Sequence, residues 1–106
     1  MKHEEVAASL AELGNSHRLA VFRFLVKAGH QGASVGNIQK ALGIPPSTLS
    51  HHLARMAKVG LIRQEKHSRT IVCTPQYQHL EDVIGFLREE CCVGVSVAHD
   101  EIESVS

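Results

Sequence analysis

Over most of its length the chain repeats apolar residues at every third or fourth position, and it turns to short β-rich runs only between Leu61 and Thr74. Val6, Ala7, Leu10, Ala11 and Leu13 predict a first amphipathic helix from about Glu4, with Gly14 expected to close it as a left-handed cap. Asn15 or Ser16 then offers the side-chain oxygen that caps the next helix. From His17 to Ala28, the residues Leu19, Ala20, Val21, Phe22, Phe24, Leu25 and Val26 are apolar nearly all round, which predicts a helix buried on most sides. Gly29 and Gly32 make the next break. Ser34 caps a short helix in which Val35, Ile38 and Leu42 recur at helical spacing before Gly43 stops it.

The stretch from Ile44 to Gly60 carries the most information. Pro45 and Pro46 suit a turn and the first helical positions, where a missing N–H costs nothing, and Ser47 is a further candidate cap. At about 100° per residue, Leu49, Leu53 and Met56 share one apolar stripe. Ser47, His51, Arg55 and Lys58 point the other way, with Thr48 and Ser50 on the flanks, and such hydrogen-bonding and cationic groups are what a helix in a major groove requires. His52 lies near the apolar stripe and is expected to wedge against the domain.

Leu61 to Lys66 and Thr70 to Thr74 then read as two strands joined by His67-Ser68-Arg69, with Lys66 and Arg69 near the tip and Pro75 ending the hairpin. A last helix runs from Tyr77 to about Cys92, with Leu80, Val83, Ile84, Leu87 and Cys91 along one side. The expected fold class is mainly α with a small β-hairpin, in one domain over residues 1–92, followed by an acidic flexible tail over 93–106.

Composition narrows the class. A chain of 106 residues buries one modest core. No apolar run approaches the roughly 18 residues of a membrane span, and Met1 to Leu10 carries two glutamates and no continuous apolar stretch, unlike a signal peptide. A cytoplasmic protein with no membrane partner is expected. The net charge of zero hides a strong segregation: residues 14–74 hold nine Lys or Arg against one acid, a net +8, while residues 1–13 and 75–106 carry −2 and −6. So basic a middle segment suggests a face for a polyanion, and the acidic ends limit non-specific sticking.

Two helices joined by a tight turn, the second opening with Ser and Thr and polar on its outer side, make a helix-turn-helix pattern. Leu13-Gly14-Asn15-Ser16-His17-Arg18-Leu19, Ser47-Thr48-Leu49-Ser50-His51-His52-Leu53 and Val59-Gly60-Leu61-Ile62 together resemble the ArsR/SmtB family of winged helix-turn-helix metalloregulatory repressors, over roughly residues 5–92. The resemblance implies a homodimer built on the first and last helices, double-stranded operator DNA read by the helix from Ser47 to Lys58, a wing touching phosphates through Lys66 and Arg69, and release by a ligand.

It also sorts the ligands. Members that sense metal through the helix before the recognition turn carry Cys-x-Cys there, and Ser34 to Leu42 holds no cysteine. Members that sense zinc, nickel or cobalt pair Asp and His early in the last helix with a later His. Here His79 and Asp82 are present, but no histidine follows in that helix. Glu89-Glu90-Cys91-Cys92 instead resembles arsenic-responsive members whose thiols close the last helix, although Val93 to Ala98 lacks the third cysteine that some of them add.

Adjacent thiols supply two soft donors, which select trivalent arsenic, antimony or copper(I) over hard cations. On a helix Cys91 and Cys92 diverge by about 100°, so both reach one ligand only if the helix end unwinds, which Gly94 eases. Two other readings of the pair stand beside this one. They are packing at a dimer seam, and a redox switch, against which a helix C-terminus beside Glu89 and Glu90 would raise a thiol pKa. Cys73, among Ile71, Val72 and Thr74, is expected to pack, and His17, His67 and His99 to lie at the surface. The expected function is a DNA-binding repressor released when trivalent arsenic, methylated or not, or antimonite binds Cys91 and Cys92. The alternatives are a thiol-redox repressor and a winged-helix interaction module. No HExxH, CxxC, phosphate loop or nucleophile elbow is present, so no enzyme and no catalytic cofactor are expected.

Overall fold

The computed structural model describes residues 1–96; most of the expected acidic tail, and His99 with it, lie outside the described residues. The chain runs α1 (His3–Leu13), α2 (Ser16–Ala28), β1 (Ala33–Ser34), α3 (Val35–Leu42), α4 (Pro46–Lys58), β2 (Ile62–His67), β3 (Thr70–Pro75) and α5 (Tyr77–Arg88). No helix among the described residues is long and apolar enough to cross a membrane.

The rotation of α1 is set by polar contacts rather than by its apolar residues. The helix buries Val6, Ser9 and Glu12, while Ala7, Leu10 and Ala11 of the expected apolar stripe are exposed. Glu12 is drawn inward by two arginines and Ser9 by a histidine, and an unpaired buried carboxylate would cost more than an exposed leucine. Gly14 is not left-handed as expected: with φ −73° it continues the α1 turn and donates its N–H to Leu10 O at 2.9 Å. Asn15 restarts the chain, its Oδ1 accepting the Arg18 N–H at 3.1 Å.

In α2 only Val21, Phe22 and Leu25 are buried. Leu19 and Val26 are 43% and 38% exposed, so the helix is covered on one side rather than on most sides. Its outer side borders an open groove of about 780 Å³ that also meets Leu13, Leu42 and Leu80.

The sheet has three strands rather than two, in the order β1-β3-β2, with both pairs antiparallel. Ala33 pairs with Cys73 and Ser34 with Val72, a ladder too short to leave an alternating pattern in the sequence. Gly32 makes it possible: its φ is +72°, and a Cβ there would stand 2.3 Å from Cys73 O. His67 and Thr70 pair directly, so the wing turn is Ser68-Arg69 alone, with Ser68 at φ 62° in the position where a two-residue hairpin takes a positive φ. Pro75 still belongs to β3, paired with Ile62.

Val21, Leu25, Ile38, Leu49, Leu53, Met56, Leu61 and Ile62 form one core, in which α4 lies against α2 and the base of the wing. Burial of each such side chain contributes roughly 1.5–3 kcal/mol. The last helix stops four residues before Cys92, at Arg88. Glu89 and Glu90 would extend it at the negative end of its dipole, and the chain instead makes tight turns in which Glu90 and Cys92 both have φ 64°.

Candidate nucleic-acid interface and thiol pair

Gly43 ends α3 in the left-handed region, and Pro45 occupies the N-cap of α4 with Pro46 as its first residue. Ser47 is therefore already inside the helix and caps nothing, contrary to expectation; the prolines, lacking an N–H, leave less to cap. Leu49, Leu53 and Met56 face the core, as the stripe predicts. Ser47, Ser50, His51 and Lys58 are exposed and Thr48 is half-buried. Ala54 is exposed as well and shares the outer side with Ser47 and Lys58. On the wing, Lys66 and Arg69 are exposed, while Arg63 Nη2 lies 2.9 Å from Glu65 Oε1.

Arg55 has a partner that the sequence pattern did not reveal. Its Nε donates to Glu12 Oε1 at 2.7 Å and its Nη2 to Oε2 at 3.1 Å, a two-pronged fork from α4 to α1. Arg18 supports the same carboxylate: its Nε donates to the Glu12 carbonyl at 2.7 Å and lies 3.4 Å from Oε1. The hydrogen bond from Arg55, assisted by both arginine charges, holds the Glu12 carboxyl below its ordinary range. The available signal was Glu12 itself, an acid at the end of a helix just before the basic segment.

His52 is 7% exposed and wedges against the domain as expected. Its Nδ1 lies 3.5 Å from Arg18 Nη1, its Nε2 is buried with no hydrogen-bond partner among the described residues, and the His17 ring stands 5.8 Å away, centroid to centroid. Burial first, then the charges of Arg18, His17, His51 and Arg55, push the His52 pKa down.

Beyond α5, Cys91 Sγ and Cys92 Sγ are 3.0 Å apart and exposed. The helix end is already unwound, and the two sulfurs lie side by side. The hydrogen bond with Cys92 pushes the Cys91 pKa up. Cys73 is fully buried in the core under β3, where desolvation pushes its pKa up to about 11. His79 and Asp82 are engaged elsewhere: His79 Nε2 lies 2.7 Å from Ser9 Oγ, and Asp82 Oδ1 accepts from Gln78 at 2.9 Å. Among the described residues no group of three or more His, Cys, Asp or Glu could hold a metal ion.

The head of α5 is tied to the end of α4. Gln76 donates its backbone N–H to Leu61 O at 2.9 Å and its side-chain amide to Gly60 O at 3.2 Å. Gly60 has φ +88°, and a Cβ there would stand 3.1 Å from the His79 ring.

The family model described as a helix-turn-helix domain matches residues 13–65, half of the chain. The chain belongs to this helix-turn-helix family. Residues 13–65 take in α2, α3, α4 and most of β2, the elements that carry the exposed polar face and lead into the wing. The chain is 29% identical over 89 residues to the HTH-type transcriptional regulator YgaV of Escherichia coli (strain K12), covering 84% of this chain and 88% of that one. Its fold matches an ArsR-like transcriptional regulator from Rhodococcus sp. RHA1 with a TM-score of 0.72 at 21% identity, over 81% of this chain and 78% of the other. It also matches the homodimeric winged helix-turn-helix DNA-binding domain Mb0332 from Mycobacterium bovis, a possible ArsR-family regulator, with a TM-score of 0.64 at 20% identity, over 91% and 89%. The chain thus combines helix-turn-helix family membership with the winged fold seen in ArsR-type proteins, and the relatives it resembles are transcriptional regulators.

Proposed function

We propose that this regulator is a repressor that binds operator DNA as a homodimer and leaves it when Cys91 and Cys92 capture a trivalent arsenical or antimonite. The observation that carries this reading is the pair of exposed sulfurs 3.0 Å apart in the turns after α5. In this reading Ser47, Thr48, Ser50 and His51 address base edges, Lys58 on the same outer side meets a phosphate, Arg55 stays on the flank toward α1 with Glu12, and Lys66 and Arg69 on the wing reach phosphates. The dimer uses α1 and α5. Support for it comes from the outward-facing Leu10 and Leu87, 40% and 60% exposed, and from the homodimeric Mycobacterium bovis domain of the same fold.

Each thiol that condenses with an arsenic hydroxide forms an As–S bond, breaks an As–O bond and releases one water, so a dihydroxy methylarsenical takes up both thiols and loses two waters. No pre-formed thiolate is needed, which suits a Cys91 pKa that is pushed up. Oxidation by peroxide depends on a thiolate and is served less well. Two sulfurs satisfy a methylated trivalent arsenical, whereas inorganic arsenite keeps one hydroxide, so the methylated form is the preferred inducer. Capture reshapes the turns after α5, whose other end is fastened to Gly60 and Ser9. The dimer seam then shifts, and the paired recognition helices leave the spacing of about one DNA turn that an operator demands.

The test is release of purified protein from its DNA by arsenite, methylarsenite, antimonite and hydrogen peroxide, titrated in parallel. Release by methylarsenite at the lowest concentration is expected. Release by peroxide alone would replace capture with thiol oxidation, and failure to bind any duplex in a salt-dependent way would leave an interaction module instead.

A further inference from the structure

We propose that Glu12 is a positioning residue for DNA recognition: through Arg55 it braces the recognition helix against α1 and so fixes the half-site spacing that the dimer accepts. The proposal rests on the dimeric, operator-binding reading above.

Three features of the Glu12 site carry it. First, the contact is a fork. Arg55 Nε and Nη2 engage both oxygens of one carboxylate, which fixes the relative orientation of the two planes as a single hydrogen bond would not. Second, the carboxylate cannot swing away. Its side chain is 9% exposed, and Arg18, with a side chain 13% exposed, holds both its backbone carbonyl and one carboxylate oxygen. Third, Arg55 lies on the side of α4 turned toward α1, away from the outer line of Ser47, Ala54 and Lys58. The fork uses two of the guanidinium's three nitrogens, so Arg55 acts as a strut between helices rather than as a reader of bases.

The consequence follows from where the two helices lie. The inner stripe of α4 holds it to the core of its own subunit, and α1 belongs to the seam between subunits. A rigid link from α1 to α4 therefore carries the geometry of the seam to the recognition helix, and the separation of the two recognition helices sets which half-site spacing fits.

The experiment selects binding sites from a random-sequence DNA duplex pool with the wild-type full chain, Arg55→Met, Arg55→Lys and Glu12→Gln, and reads half-site sequence and spacing separately. Expected for Arg55→Met is the wild-type half-site sequence with a broadened spacing, the preferred spacing losing about threefold of its enrichment, the factor that a half-exposed ion pair commands. Arg55→Lys, which keeps the charge without the fork, recovers part of that loss. Arg55→Met leaves the Glu12–Arg18 pair in place and decides the matter even if Glu12→Gln does not fold. Spacing as sharp as in the wild type would overturn the brace. So would a changed half-site sequence, or a salt dependence flattened by about one unit with spacing intact, since these would make Arg55 a base or phosphate contact. If the wild type selects no paired half-sites, the dimeric reading fails first and the brace with it.

Discussion

Ser9 Oγ lies 2.7 Å from His79 Nε2, joining the buried side of α1 to the first turns of α5, while the other side of the same imidazole rests on Gly60 at the end of α4. Three helices thus meet at one ring. Ser9→Ala removes the hydroxyl and leaves the imidazole nitrogen without this partner, which should cost about 1–2 kcal/mol of stability. The midpoint of urea unfolding measures it, and an unchanged midpoint would mean that the bond contributes nothing.

DNA binding should divide into two terms carried by different residues. Lys58→Ala should weaken binding to every duplex and flatten the salt slope by about one unit. His51→Ala should instead narrow the gap between operator and scrambled DNA, by about 1–3 kcal/mol if it meets a base edge. Fluorescence anisotropy across a salt series separates the two, and equal losses on both duplexes for His51→Ala would remove it from base reading.

The three thiols differ in access. Cys91 and Cys92 are exposed, while Cys73 is buried with its pKa pushed up to about 11, so alkylation of the native protein near neutral pH should label two cysteines and spare the third. Denaturant should expose the third, read as one more adduct by intact mass. In the DNA-release assay Cys91→Ser and Cys92→Ser should keep DNA binding and lose induction, and Cys73→Ser should induce normally. A well-folded Cys73→Ser that fails to induce would move the ligand site to the sheet.

Acid should weaken the fold in two stages. His52 has a folded pKa below its ordinary 6.5, so the unfolded chain takes up the proton first. The stability that comes from keeping His52 neutral is complete above that value and is lost as pH falls from 6.5 toward the folded pKa. Glu12, lowered from 4.5, keeps its contribution above that value and loses it as pH falls on through its own folded pKa. Melting temperatures should therefore drop as pH falls below about 6.5, and His52→Gln should abolish that first step alone. A wild-type curve flat across this window would show that the buried imidazole does not govern it.

The fold was legible wherever a repeating pattern had room to declare itself. Leu49, Leu53 and Met56 mark the inner side of α4 because three helical turns suffice to show a period, and Ser34 and Asn15 cap where their side chains predict. What stayed hidden depends on contacts between distant residues. The inward turn of α1 is set by Arg18, Arg55 and His79, none of which lies on α1, so local hydrophobicity named Leu10 where burial chose Ser9 and Glu12. Ala33-Ser34 becomes a strand only because Gly32 lets the backbone approach Cys73. At the candidate sites the outer residues of α4 and the thiol pair could be read directly, but the partner of Arg55 lies 43 residues away and no spacing rule reaches it.

The sheet also governs how the molecule behaves in a crowd. Among the described residues β2 is an edge strand, paired with β3 on one side only, and after Ile62 every residue along it is exposed. An open edge of six residues is long enough to template another chain. Arg63, Glu65 and Lys66 occupy it, and a second copy arriving in register would have to bring like charges together or strip water from them. The opposite edge, β1, offers two residues and little to add to. The wing thus meets its surroundings with a row of solvated charge, a poor template for a further strand.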